Sequence, residues 1–280
     1  MKTSSPPPYL EEMAQLGQRR KSRRLWWIAC GLAATAIVAS FGTPKAGCAG
    51  SPDDEDDTAT AETETTALDP GVTSAELEAI PSTTFCPTAG HVATVGAQRL
   101  HVDTSGMRGV IAGDTSRSVE IAFTFRGASK DAVPLANGEM RQQIGLKLRA
   151  KDTCNVVYVM WHIAPDKGVH VQVKSNPGLA THAECGDRGY INLESKVAVV
   201  APEIRVNEAH TLRADIDGTS LRVRADGLEV WRGTLPDAAF AFDGPAGTRS
   251  DNGDFDFELR IPGGGKTAAH CVNPGTEAAH

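Results

Sequence analysis

The chain has 280 residues, of which 40% are hydrophobic and 22% charged, with a formal net charge of −7; this length allows one or two domains. The acid excess is local: beyond Pro81 there are 23 acids against 21 bases, so the C-terminal part is near neutral. Without a basic face it has no electrostatic footprint for nucleic acid, and that partner class is excluded.

Residues 1–24 form a basic tail carrying Lys2, Arg19, Arg20, Lys21, Arg23 and Arg24. Residues 25–41, from Leu25 to Phe41 (LWWIACGLAATAIVASF), carry no charge. As a helix they would span about 26 Å, the short end of a bilayer crossing. Trp26 and Trp27 stand at its start, where amphipathic rings favour the interface. Basic residues before the segment and acids after it orient the N-terminus inside. The expectation is a single-pass signal anchor with the C-terminal domain outside the cytoplasm. The alternatives are a cleaved signal peptide, giving a secreted protein, and a lipid anchor on Cys48, which Lys45 three residues earlier fits poorly.

Residues 42–84 are rich in Thr, Ala, Asp, Glu and Pro, and no Lys or Arg occurs from Ala46 to Gln98. A segment so poor in large apolar groups cannot offset its ordering entropy and is expected to be a disordered acidic linker. Its cluster Asp53–Asp57 lacks the glycine turn of a calcium loop, so no metal is expected there.

Residues 85–275 read as one folded domain, with a disordered tail at 276–280. Its four cysteines, Cys86, Cys154, Cys185 and Cys271, make an even set in a non-cytosolic domain and imply two disulfides. Of three pairings, Cys154–Cys185 flanks one segment of sheet, and Cys86–Cys271 would then join the domain's ends.

Period-two patterning dominates this domain. Val119, Ile121, Phe123 and Phe125 alternate with polar or small residues, as do Ile144, Leu146 and Leu148, then Val169, Val171 and Val173, and finally Phe255, Phe257, Leu259 and Ile261. These are half-buried antiparallel strands. Residues 155–163 (NVVYVMWHI) are apolar on both faces and read as a central strand. From His210 to Leu235 three alternating runs are separated by Asp217-Gly218 and Asp226-Gly227, a meander whose two-residue turns need positive φ. Some 11 or 12 short strands without an amphipathic helix predict an all-β, two-sheet antiparallel sandwich.

The run from Leu221 to Gly233 (LRVRADGLEVWRG) resembles the Asp-Gly hairpin of concanavalin A-like jelly rolls, the superfamily of lectins, glucanases and laminin-G-like domains. The run from Phe242 to Gly253, followed by Phe255 and Phe257, resembles that fold's closing segment. The resemblance implies a jelly-roll sandwich. It does not choose between binding modules and enzymes, since function lies in the site and not the fold.

Two chemistries follow. Asp254, Asp256 and Glu258 alternate on one strand face and resemble the Glu-x-Asp-x-Glu strand of laminarinase-type retaining glycosidases, with Asp in place of the first Glu. Such enzymes need two carboxyls about 5–5.5 Å apart, whereas residues four apart on a strand stand about 13 Å apart at the backbone. The favoured expectation is a non-catalytic face that binds a carbohydrate or an extracellular protein. Tyr158, Met160, His162, His170, Gln172 and Lys174 would share that face, with Trp161 and Trp231 as stacking rings if the other face is open. Asn176, Asp187, Arg188 and Tyr190 lie in a loop region that could rim it. No cofactor motif is present, and no metal is expected.

Overall fold

The computed structural model describes residues 76–265. The basic tail, the apolar segment 25–41, most of the acidic linker and Cys271 lie outside the described residues. Among those described, no helix is long and apolar enough to cross a membrane.

The described chain is all antiparallel β: β1 (Leu77–Ala79), β2 (Phe85–Ala89), β3 (Ala93–Thr94), β4 (Leu100–Ile111), β5 (Ser118–Ala128), β6 (Gln142–Leu148), β7 (Val156–Ala164), β8 (Gly168–Lys174), β9 (Tyr190–Leu193), β10 (Ala209–Asp217), β11 (Ser220–Ala225), β12 (Leu228–Thr234) and β13 (Gly247–Pro262). One α-helical turn, His182–Cys185, and three short 3₁₀ turns complete it. The strands run β12-β11-β10-β5-β13-β6-β7-β8-β9, with β4 along β13 and β2 and β3 along β4.

The sixteen-residue strand β13 is the seam of the sandwich. Its first half, Gly247 to Asp251, pairs with β6; its second, Gly253 to Arg260, pairs with β5, while β4 follows the other edge. The change of partner falls at Asn252, which takes a positive φ of 54°, and at a register shift between Asp254 and Phe255. A bulge of this kind bends a strand and lets it serve two sheets. One layer is therefore β5, β10, β11 and β12, and the other β6, β7, β8 and β9, both hinged on β13.

The two layers close on one core. Phe123 of β5 meets Trp161 of β7 edge-on at 5.8 Å, and Trp161 meets His210 of β10 at 5.5 Å, although these strands share no backbone bonds. Ile144, Leu146, Val159 and Val173 from one layer face Val119, Ile121, Leu212 and Phe255 from the other, all essentially inaccessible. The four alternating runs and the doubly apolar 155–163 segment thus form the strands their period implies, with β7 central between β6 and β8.

Three expectations need correction in detail. Inside the stretch read as linker, Leu77 to Ala79 form β1 and pair with the end of β13, and Ile80 is buried in the core. The first meander turn is Gly218-Thr219, since Asp217 still pairs with Ser220, and of these two only Gly218 has positive φ. At the second turn Asp226 and Gly227 both take positive φ, 50° and 79°, as the Asp-Gly pair requires. The third concerns Trp231, which is 3% exposed and packed in the main core, and so does not stand on an open face.

The Cys154–Cys185 disulfide is present, with Cα atoms 5.9 Å apart. Cys86 is also disulfide-bonded; its expected partner lies outside the described residues.

Candidate functional site

The outer face of the second layer carries the polar side chains expected to cluster. Antiparallel register places Lys147, Tyr158, Gln172 and Asn192 in one cross-strand row, and Met160 opposite His170 in the next. A third row holds Asp251, Gln143 and His162. Strand alternation alone puts these residues on one side, because their neighbours Leu146, Val157, Val159 and Val171 fill the core.

Most of this face is deeply set. Tyr158 and Met160 are buried, and with Ala150 and Val156 they form a small apolar cluster separate from the main core. The Tyr158 ring stacks on Tyr190 at 6.3 Å, while the Arg249 guanidinium lies over its ring at 5.2 Å. Tyr190 also lies under Lys174, whose Nζ sits 5.1 Å from the ring. Exposure rises along the first row, from buried Lys147 and Tyr158 to half-buried Gln172 and exposed Asn192, whose side chain accepts a 2.6 Å bond from Gln172.

Asp251, 1% exposed, organises the inner end. It accepts from Arg249 Nε at 2.8 Å and Gln143 Nε2 at 2.5 Å, and pairs with Arg108 at 3.5 Å. Burial pushes its carboxyl up, but Arg249 and Arg108 outweigh this and hold it below the usual carboxylate range. Burial likewise opposes the charge of Arg249, and Asp251 with the two tyrosines more than restores it.

Lys147 differs. It is 5% exposed, and among the described residues no carboxylate lies within salt-bridge distance of it. Burial, with Arg108 and Arg249 beside it, pushes its ammonium down to about 7, with Asp152 opposing. Lys174 donates to the Gly186 carbonyl at 2.6 Å, and burial lowers it too.

At the other end His162 and His170 stack with centroids 4.0 Å apart. Burial, then the charges of His170 and Arg141, push His162 down to about 3, so it is neutral at physiological pH. Its Nδ1 is enclosed without a hydrogen-bond partner, as is Gln143 Oε1. Buried polar atoms are rarely left so. The Gln143 amide cannot be turned to relieve this, because Asp251 is acceptor-only and the amide nitrogen must face it.

The loop from Asn176 to Gly189 borders this face and is held by the Cys154–Cys185 bridge and by Asn155 and Asn176, which bond across it. Asp187 and Arg188 are exposed there; Asp187 acts on Lys174 electrostatically, and Arg188 is tied back to Glu184 and Cys185 carbonyls. Sequence reading named most of this face but not Gln143, Lys147, Arg108, Arg249 or Asp251. The alternation of β6 could have signalled Gln143 and Lys147. The other three required knowing that β13 runs beside β6 and β4 along the far edge of β13.

The carboxylates Asp254, Asp256 and Glu258 occupy the outer face of β13's second half and are engaged by cations. Asp256 receives Arg126 at 3.1 and 2.7 Å and His101 at 3.0 Å; Glu258 is bound by Arg260. Burial tends to raise Asp256, but Arg126 and His101 prevail and lower it, whereas burial, reinforced by Asp103 and Asp256, raises Asp254. His101, Asp103 and Asp254 bring potential ligand atoms within 4.8 Å of one another, yet Asp103 is already paired with Lys130 at 2.5 Å.

No protein-family model matches the chain, and no curated protein does. Solved structures similar to it include the carbohydrate-binding module CBM66 from Bacillus subtilis, at 15% identity and TM-score 0.43, covering 62% of this chain and 92% of that one. Domain 4 of AbnA, a GH43 extracellular arabinanase from Geobacillus stearothermophilus in complex with arabinotriose, is 12% identical with TM-score 0.36, covering 67% and 93%. The Caenorhabditis elegans galectin LEC-6 is 10% identical with TM-score 0.32, covering 65% and 97%. Each is a likeness and nothing finer.

Proposed function

We propose that the chain is a non-catalytic binding module that takes a glycan on the outer face of its second layer, displayed outside the cytoplasm by a membrane anchor at Leu25 to Phe41. One observation carries the binding reading. A graded polar row runs from buried Lys147 to exposed Asn192, beside two enclosed polar atoms, Gln143 Oε1 and His162 Nδ1, that have no partner. Sugar hydroxyls donate and accept at close spacing, and the half-buried Gln172 and exposed Asn192 amides would meet them at the open edge of the row. The placement outside the cytoplasm is supported by the basic tail, the acids that follow the apolar segment, and a disulfide of a kind that persists in oxidising compartments.

The test is glycan-array binding by the full chain in detergent. His170→Ala and Gln172→Ala, both at accessible positions, should weaken binding at least tenfold without moving the melting midpoint. An array that gives no signal, or variants that bind like the parent, would turn the reading down.

A glycosidase-like hydrolase using Asp254, Asp256 and Glu258 keeps one supporting observation. Asp254 is raised while Asp256 beside it is lowered, the split that acid and base roles need. The cations on Asp256 and Glu258 weigh against it. Hydrolysis of a β-glucan that Glu258→Gln abolishes would establish this alternative.

A further inference from the structure

The two outer faces treat their cations differently. On the first layer arginines meet acids: Arg213 and Arg224 with Asp215, Arg222 and Arg232 with Glu229, Arg260 with Glu120 and Glu258. On the second layer Arg108, Arg249 and Gln143 take the buried carboxylate of Asp251, and Lys147 has no salt bridge to it. Asp152 is committed to the Cys154 amide and Asn155, and exposed Asp187 reaches Lys174 only through space.

A buried ammonium without a counter-charge is unfavourable, and evolution normally pairs it or replaces it with an apolar side chain. Lys147 is neither paired nor replaced, although a methionine would suit a position opposite the buried Tyr158. It also stands in the same row as Gln172 and Asn192, so the uncompensated charge lies at the deep end of the polar edge.

We propose that the glycan residue held here is anionic, its carboxylate or sulfate received by Lys147 with Arg108 as second cation. The inference rests on the glycan-binding reading and narrows it to acidic saccharides. The ligand supplies the counter-charge that the fold withholds, and the discrimination against neutral sugars comes from leaving that charge unpaired when they bind.

The experiment measures binding of the full chain in detergent to four probes: an oligogalacturonate, the same oligomer after carboxyl reduction, a sulfated galactan, and its desulfated form. At least one charged probe should bind ten or more times tighter than its neutral counterpart, and which pair shows it assigns the anion as carboxylate or sulfate. Lys147→Met should erase that difference while melting no lower than the parent. Should that variant not fold, the parent at pH 6 and pH 9 gives the same answer. Affinity for the charged probe should fall at the higher pH as the ammonium loses its proton, among Arg108 and Arg249 from β4 and β13, Tyr158 and Tyr190 from β7 and β9, Lys174 from β8, and Asp152 and Asp187 from the loops. Equal affinity for charged and neutral forms, or Lys147→Met binding like the parent, overturns the anionic assignment and leaves the glycan reading in place. Failure of all four probes and of the wider array removes both.

Discussion

Lys147 is held against its own solvation preference, and its removal should therefore have opposite effects on binding and on stability. The ammonium falls from 10.5 to about 7 on folding, so between those values the unfolded chain binds more protons than the folded one. Its contribution to stability then rises with pH across that window. Lys147→Met should raise the melting midpoint at pH 7 by several degrees, the equivalent of a few kcal/mol, and should flatten the rise in stability between pH 7 and 10. Calorimetry of parent and variant at pH 7 and pH 10 checks both. His162 acts in a lower window. Lowered from 6.5 to about 3, it is protonated more readily in the unfolded chain, so its share of stability is complete above about pH 6.5 and is lost as pH falls toward 3. Urea titrations of His162→Gln between pH 4 and 7 should show a shallower pH dependence than the parent.

Elements position these residues through a few fixed points. The Cys154–Cys185 bridge closes a span of 31 residues, for which loop entropy gives about 3–4 kcal/mol. Cys154→Ser with Cys185→Ser should lower unfolding free energy by that order and weaken ligand binding further, since Gly186, the next residue, supplies the carbonyl that receives Lys174. Asn252 holds the β5–β6 loop by bonding both backbone groups of Val133 and the carbonyl of Arg141. Gly145 lies between Gln143 and Lys147 on β6, where a Cβ would come within 2.2 Å of the Val159 carbonyl, so the backbone there admits no larger residue. Much at this scale was legible beforehand. The Asp226-Gly227 turn declared itself because few residues accept two positive φ values in succession, and the disulfide followed from two cysteines flanking one segment of sheet. β1 was not legible, because Leu77 to Ala79 owe their order to the end of β13 and not to any pattern of their own.

Across the molecule, the face of the sheet separates rings that the sequence could not tell apart, although both are buried. Trp231 and Tyr158 are both aromatic residues on alternating strands, yet Trp231 lies between the layers while Tyr158 lies on the outer face under Arg249. Trp231→Ala should cost about 3–5 kcal/mol and leave the ligand affinity of the folded fraction unchanged, whereas Gln172→Ala should do the reverse. Denaturant midpoints read alongside binding isotherms distinguish the two.

What the sequence by itself determined is the class of fold and the sidedness of each strand, because a period of two is local and survives in any sandwich. It also determined that the domain is near neutral and that Tyr158, His162, His170 and Gln172 fall on one side. Only the tertiary structure decided which side is core and which open, and which distant residues join the site. Arg249 and Asp251 reach it because β13 changes partner at Asn252, setting its first half beside β6 and its carboxylates at 254–258 on another face. Such a change depends on a bend and on pairings more than a hundred residues apart, which no local pattern encodes.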